Sequence, residues 1–158
     1  MSVIELAFES ELSASPEEVW AWITSIRGIR LEMAPLLRMT TPRGVRSLED
    51  LLENPALRLG ERLFRSRLLL FGVLPIDYSD LTLIELRPGA GFIEESPMGS
   101  MRRWRHERTI VRSERGVYLR DRLVFEPRLP ARLAEPMVRQ LFTHRHRMLK
   151  RYLFAAGG

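Results

Sequence analysis

The chain has 158 residues, of which 45% are hydrophobic and 28% are charged, and its formal net charge is +5. These values are typical of one globular domain and exclude general disorder. Cysteine is absent, which excludes disulfides, zinc–thiolate sites, iron–sulfur clusters and cysteine nucleophiles. The longest nearly unbroken apolar run, 68–76, is too short for a transmembrane helix, which takes about 20 residues. Because the start Met-Ser-Val-Ile-Glu has no basic leader region, we expect one cytoplasmic domain spanning residues 1–158.

The N-terminal third predicts a strand followed by short helices. Residues 3–12 alternate apolar and polar side chains, which indicates a half-buried strand. Ser15, Pro16 and Glu18 then form a helix-start pattern, and that helix should end near Ser25. Further elements are predicted at 29–34 (helix), 36–41 (short strand) and 48–53 (one or two helical turns).

The rest of the chain predicts a meander of strands and one long helix. Glycine and proline punctuate five β-type segments, at 61–71, 75–87, 91–96, 101–112 and 117–127. Short connections between consecutive strands favour antiparallel pairing.

The predicted C-terminal helix, 131–154, is amphipathic. We expect one arc to face the sheet and the opposite arc to face water. The inward arc comprises Leu133, Met137, Val138, Leu141, Met148, Leu149 and Tyr152, and the outward arc Arg132, Arg139, Thr143, His146 and Lys150. The predicted fold class is α+β: a curved antiparallel sheet wrapped around a long C-terminal helix, with two short helices after the first strand and a cavity between sheet and helix.

Four short motifs, in this order of elements, resemble the SRPBCC helix-grip superfamily. They are Ser-Pro-Glu-Glu-Val-Trp at 15–20, Gly-Ser-Met-Arg-Arg-Trp-Arg-His at 99–106, Leu-Arg-Asp at 119–121 and Phe-Thr-His-Arg-His at 142–146. The superfamily includes START lipid-transfer domains, birch-pollen-allergen-like proteins and aromatic polyketide cyclases, and the later motifs resemble an uncharacterised bacterial subgroup. The resemblance covers residues 8–152 and implies a helix-grip fold with a cavity for a hydrophobic ligand. It implies no single reaction, because the superfamily mixes binders, transfer proteins and enzymes.

The last predicted hairpin places a carboxylate on the inner face of the sheet. Leu119 and Leu123 are apolar, so Asp121 between them should point inward. A four-residue loop would set Arg108 directly opposite Asp121, whereas a two-residue loop at 115–116 would make the two diagonal neighbours. Either register leaves both residues on one face.

A third charge should come from the C-terminal helix. Arg145 falls near the middle of the predicted apolar arc, with His144 at its edge. A buried guanidinium needs a partner, and Asp121, Glu94 and Glu95 are the candidates. We expect a polar patch of Arg108, Asp121 and Arg145 near His106, which either ties the helix to the sheet or contacts a ligand.

The leading hypothesis is binding or carriage of a small hydrophobic or aromatic ligand in this cavity. No metal site or cofactor is predicted, since His144 and His146 are two residues apart on a helix and face different directions. The predicted ligand-binding residues are Phe64, Leu68, Tyr78, Phe92, Trp104, His106, Arg108, Asp121, Leu123, Phe125, Met137, Leu141, His144 and Arg145.

Two alternative functions remain open. The first is a cyclase- or dehydratase-type enzyme, with His106 as base, Asp121 orienting it, and Arg108 or Tyr78 as hydrogen-bond donor to an enolate. The second is binding of nucleic acid or an acidic surface by residues 100–158, which carry a net charge of +10 against −5 for residues 1–99. The arginines there alternate with inward residues, so we expect a solvated sheet face and no nucleic-acid partner. The sequence leaves the oligomeric state open.

Overall fold

Residues 3–114 and 116–153 are described by the computed structural model, and they form one sheet and four helices. In chain order the elements are β1 (Ile4–Leu12), α1 (Pro16–Thr24), α2 (Ile26–Met33), β2 (Leu37–Met39), α3 (Leu48–Leu52), β3 (Arg62–Leu70), β4 (Leu74–Arg87), β5 (Gly91–Glu95), β6 (Met101–Ser113), β7 (Gly116–Pro127) and α4 (Ala131–Tyr152). The strands run antiparallel in the order β1-β7-β6-β5-β4-β3-β2. The predicted α+β architecture, with a curled sheet around the C-terminal helix, is confirmed.

The two short helices after β1 meet at a single serine. As predicted, Ser15 caps α1 by accepting a hydrogen bond from the Glu18 amide at 3.1 Å. Ser25 ends α1 and begins α2: its hydroxyl donates to the Trp22 carbonyl at 2.9 Å and accepts from the Gly28 amide at 2.9 Å. A Cβ at position 28 would lie 2.2 Å from the Trp22 carbonyl oxygen, so only glycine allows this tight approach. The sharp turn directs the inner face of α2 toward the sheet.

The β6–β7 hairpin adopts the register that sets Arg108 opposite Asp121. Arg112 pairs with Val117, as predicted for a four-residue loop, but the strand pairing extends one step further, to Ser113 and Gly116. On the other side of β6, β5 approaches closely at Gly91, where a Cβ would lie 2.2 Å from the Arg108 carbonyl oxygen. The backbone around Arg108 is therefore held between two neighbouring strands.

The long helix α4 packs against the sheet with a face different from the predicted one. Its buried residues are Ala134, Val138, Phe142, Arg145, His146 and Leu149, whereas Leu133, Met137 and Tyr152 are 53%, 59% and 41% exposed. The buried face lies roughly 70° around the helix from the predicted arc, at about 100° per residue. Phe142, which stacks on Phe8 of β1 with ring centroids 5.7 Å apart, anchors this face.

Candidate functional site

Asp121 is the centre of a buried ionic cluster between the sheet and α4. Its carboxylate, 0% exposed, accepts hydrogen bonds from Arg108 Nε (2.8 Å) and Arg108 Nη2 (2.9 Å). It also accepts from His106 Nε2 at 2.6 Å and from His146 Nε2 at 2.7 Å. The expected inward orientation of Asp121 and its pairing with Arg108 are confirmed.

Glu32 on α2 is the second carboxylate of the cluster. Arg108 Nη1 and Nη2 donate to its two oxygens at 3.0 and 2.8 Å, and Trp22 Nε1 donates at 3.0 Å. Arg145 Nε donates to Glu32 Oε1 at 3.1 Å. The partner of Arg145 is therefore Glu32, and not Asp121, Glu94 or Glu95 as expected. Glu32 connects α4 and the sheet with the short helices.

Electrostatics keep these groups charged despite their burial. Burial alone would raise the pKa of Asp121, but the positive charges of Arg108 and His106 outweigh it and hold that pKa well below its usual range. Burial would likewise raise the pKa of Glu32, and the attraction of Arg108 and Arg145 lowers it instead. Both carboxylates are ionised at neutral pH, so each acts only as a hydrogen-bond acceptor.

His106 lies between two carboxylates. Its Nε2 contacts Asp121, and its Nδ1 is 3.5 Å from Glu94 Oε1. Burial would lower the pKa of His106, but Asp121 and Glu94 outweigh it and raise that pKa. With Glu32, Glu94 and Asp121 opposed by Arg108 and Arg145, a proton on His106 balances the charges of the cluster. The raised pKa favours the protonated form of His106, which donates from Nε2 to Asp121.

A cavity of about 70 Å³ adjoins this cluster. His106, Glu94, Arg145 and Arg30 supply its polar wall. Within the described part of the chain, Arg30 Nε is one of two buried side-chain nitrogen or oxygen atoms without a hydrogen-bond partner, although Arg30 Nη2 donates to Thr41 at 2.8 Å. The apolar wall is formed by Ile26, Ile29, Met39, Leu48, Phe64, Leu81, Leu83 and Phe92. Most of one wall comes from the segment 26–48, so the cavity lies mainly between that segment and the sheet.

The predicted site residues separate into three groups. Phe64, Phe92, His106 and Arg145 line the cavity, whereas Arg108 and Asp121 are 0% exposed within the ionic cluster. The others pack elsewhere: Leu68 is buried on β3, His144 Nε2 lies 2.7 Å from the Ala34 carbonyl oxygen, and Trp104, Leu123, Phe125 and Leu141 belong to an apolar cluster around Phe142.

Three orientations predicted at or beside the site are wrong. Tyr78 is 38% exposed, because β4 turns Ser79, Leu81 and Leu83 inward, so the alternation is shifted by one residue. Met137 is 59% exposed because α4 presents a rotated face to the sheet. The same rotation buries His146, which was expected to face water.

Sequence reasoning missed Glu32, Arg30 and Ser10. Glu32 follows Gly28 by four residues and Ile29 by three, so it lies on the apolar face of α2. This spacing was visible in the sequence and could have identified Glu32. Ser10 has the inward parity of Leu6 and Leu12 on β1 and lies 2.7 Å from His146. No sequence pattern singles out Arg30, since its role depends on the cavity formed in three dimensions.

Outward arginines of the basic half form ion pairs across the sheet surface. Arg105 contacts Glu95 at 3.2 Å and Glu107 at 2.8 Å. Arg120 contacts Glu9 at 2.7 Å, and Arg103 contacts Glu95 at 3.1 Å. These pairs are as expected of a solvated sheet face.

Two negative structural findings apply to residues 3–114 and 116–153. Over those ranges no group of three or more His, Asp or Glu side chains is arranged to hold a metal ion. Nor is any helix in the same ranges long and apolar enough to cross a membrane.

Comparison with known proteins supports the fold. A family model described as "Domain of unknown function (DUF8410)" matches residues 10–153, and no curated protein matches the chain. Protein CV1439 from Chromobacterium violaceum is similar in structure, with a TM-score of 0.68, 13% identity, and coverage of 96% of this chain and 98% of that one.

Two further solved structures are similar to this chain over nearly its whole length. A START superfamily protein from Mycobacterium smegmatis has a TM-score of 0.62 and 11% identity, with 96% of each chain covered. The AHSA1 protein from Silicibacter pomeroyi has a TM-score of 0.63 and 14% identity, with 95% of this chain and 97% of that chain covered. At these identities the likeness concerns the fold alone, which is the START-like helix-grip fold predicted from the sequence.

Proposed function

The chain belongs to the family described as "Domain of unknown function (DUF8410)", and we propose that it binds a small aromatic or apolar molecule carrying an anionic or carbonyl group. The observation that carries this proposal is the internal cavity, whose lining is apolar except for Arg30, Thr41, Glu94, His106 and Arg145. Pockets that bind small molecules have this composition: an apolar lining with a few polar groups that fix the ligand's orientation.

Arg30 indicates the chemistry of the ligand. Its buried Nε has no partner among the described residues, and an unsatisfied buried donor costs free energy. A carboxylate, phenolate or carbonyl oxygen in the cavity would satisfy that donor. Arg145, whose one hydrogen bond within the described part of the chain goes to Glu32, supplies a second positive charge on the same wall.

The size of the cavity requires a movement on binding. A volume of about 70 Å³ is below the roughly 300 Å³ at which small-molecule pockets begin. The segment 37–52 is the wall best able to move, because it includes a three-residue edge strand and a five-residue helix, whereas the hydrogen bonds of Glu32 with Arg108 and Arg145 hold α2 in place. Its outward displacement would enlarge the cavity while leaving the cluster around Asp121 in place.

The proposal is tested by calorimetric titration of the full chain with 2-naphthoate and with the uncharged 2-naphthalenemethanol. Arg30→Leu should weaken 2-naphthoate binding roughly tenfold or more, since a hydrogen bond to a charged group contributes about 1.5–3 kcal/mol, and should affect the alcohol much less. Arg27→Leu, an exposed position of the same helix, is the matched control. Ile29→Trp, which fills the cavity from α2, should abolish binding of both probes.

Two results would contradict the proposal. One is the absence of binding by either probe at millimolar concentration. The other is binding that Arg30→Leu and Ile29→Trp leave unchanged, because the probes would then occupy another surface.

A further inference from the structure

A second cleft lies between β1 and α4 and shares no lining residue with the internal cavity. Its volume is about 270 Å³. Ser10 of β1 lines one side, and Thr143, His146, Arg147 and Lys150 of α4 line the other. The four helix residues lie at spacings of three and four, so they form one continuous face of α4.

Two lining residues, Ser10 and His146, form a chain of hydrogen bonds with the buried Asp121. Ser10 Oγ lies 2.7 Å from His146 Nδ1, and His146 Nε2 lies 2.7 Å from Asp121 Oδ2. The three residues are 2%, 6% and 0% exposed. A hydroxyl, an imidazole and a carboxylate joined in this order also activate the nucleophile of the serine triad, although here Nδ1 faces the hydroxyl and Nε2 the carboxylate, the reverse of the triad's arrangement.

The charge of Asp121 sets the direction of one hydrogen bond. Asp121 is ionised and can only accept, so His146 Nε2 carries a proton and donates it. In the tautomer that carries its proton on Nε2 alone, Nδ1 is an acceptor and takes the hydrogen bond of the Ser10 hydroxyl.

The open side of the cleft is positively charged. Arg147 and Lys150 are exposed, and neither has an ion pair with a described residue, whereas Glu9 at the rim is engaged by Arg120 at 2.7 Å. An anionic substituent would be attracted to these two cations.

We propose that Ser10 is a nucleophile for acyl transfer from esters that carry a carboxylate or phosphate group. Ser10 Oγ bonds to the ester carbonyl carbon while its proton passes to His146 Nδ1. The bond from that carbon to the leaving oxygen then breaks, and the departing alcohol takes the proton from His146. Water, deprotonated in turn by His146, releases the acyl group as a carboxylic acid and restores Ser10.

The first test is covalent labelling of the full chain with a small fluorophosphonate, followed by intact-mass measurement and peptide mapping. One phosphonyl group should be found on Ser10. Ser10→Ala should abolish the label, and His146→Gln should slow labelling about 100-fold or more, the low end of a general base's contribution. Ser66→Ala is the control, because Ser66 is also buried but donates to the Thr40 carbonyl and contacts no histidine.

The second test measures hydrolysis of 4-nitrophenyl hemiglutarate against 4-nitrophenyl butyrate. Wild type should prefer the anionic ester, and Lys150→Ala should reduce that preference about threefold, as expected for an exposed charge pair. Melting temperatures identify variants that fail to fold, and Ser10→Thr, which keeps a hydroxyl, should retain part of the labelling. A folded wild type that takes no label at Ser10, or ester hydrolysis that survives Ser10→Ala, overturns the proposal.

Discussion

Replacing Asp121 with alanine should destabilise the protein more than any exposed carboxylate replacement. The side chain is 0% exposed and accepts four hydrogen bonds, from Arg108, His106 and His146, at 2.6–2.9 Å. Its removal leaves buried positive charge without its partner, which costs about 3–5 kcal/mol. That loss is a large fraction of the roughly 5–15 kcal/mol that stabilises a typical domain.

The expected change in melting temperature follows from the size of the chain. At about 2–4 °C per kcal/mol for a domain of this length, Asp121→Ala should lower the midpoint by roughly 6–20 °C. Asp121→Asn keeps the shape and one acceptor, so its loss should be smaller.

The matched control is Asp80→Ala. Asp80 also accepts two hydrogen bonds from an arginine, Arg65, at 2.7 and 3.0 Å, but that guanidinium is exposed to solvent, and its loss should barely change the midpoint. Calorimetric melting of the three variants in one buffer makes the comparison. Equal small losses for Asp121→Ala and Asp80→Ala would refute the assignment of a tightly coupled buried cluster.

Three further predictions concern pH, backbone packing and charge. Stability should fall as pH drops below about 4, because the lowered pKa values of Asp121 and Glu32 let the unfolded chain take up protons first. The contribution of His106, whose pKa is raised, is complete below about pH 6.5 and is lost as pH rises through the folded-state pKa. Free energies of unfolding measured in urea across pH should show both the acid and the alkaline loss of stability. His106→Gln should remove the alkaline loss alone, and an unchanged alkaline loss would contradict this assignment. Gly91→Ala should destabilise the protein more than Gly89→Ala, although both glycines have positive φ. A Cβ at position 91 would lie 2.2 Å from the Arg108 carbonyl oxygen, whereas a Cβ at position 89 would have no atom within 4 Å. Melting midpoints that shift equally in the two variants would show that the clash at 91 is relieved. Duplex and single-stranded DNA should bind weakly at physiological salt, because Arg103, Arg105 and Arg120 are paired with glutamates; a sub-micromolar complex whose affinity falls steeply with salt would show that phosphates displace those pairs.

The local elements and the hairpin could be predicted because their signals are local. Ser15 and Pro16 begin α1, and the apolar neighbours of Asp121 determine its face whichever loop closes the hairpin. The pairing of Arg145 with Glu32 joins residues 113 apart in sequence, and no spacing rule reaches that far.

The orientation of α4 shows why amphipathic patterns can mislead. Leu133 and Met137 extended the predicted apolar arc, yet both are more than half exposed. The actual face includes two polar residues, Arg145 and His146, whose burial is stabilised by carboxylates on other elements. A hydrophobicity pattern does not reveal that stabilisation, so His146 was not predicted as a site residue.

The location of bound 2-naphthoate tests the central claim most directly. In the complex with the full chain, intermolecular NOEs should connect the naphthalene protons with methyl groups of Ile29, Leu48, Leu81 and Leu83, which line the internal cavity. The carboxylate end should perturb the side-chain resonances of Arg30 and Arg145. NOEs confined to the exposed side chains of Leu133 and Met137, or to the β1–α4 cleft, would contradict a ligand site between the segment 26–52 and the sheet.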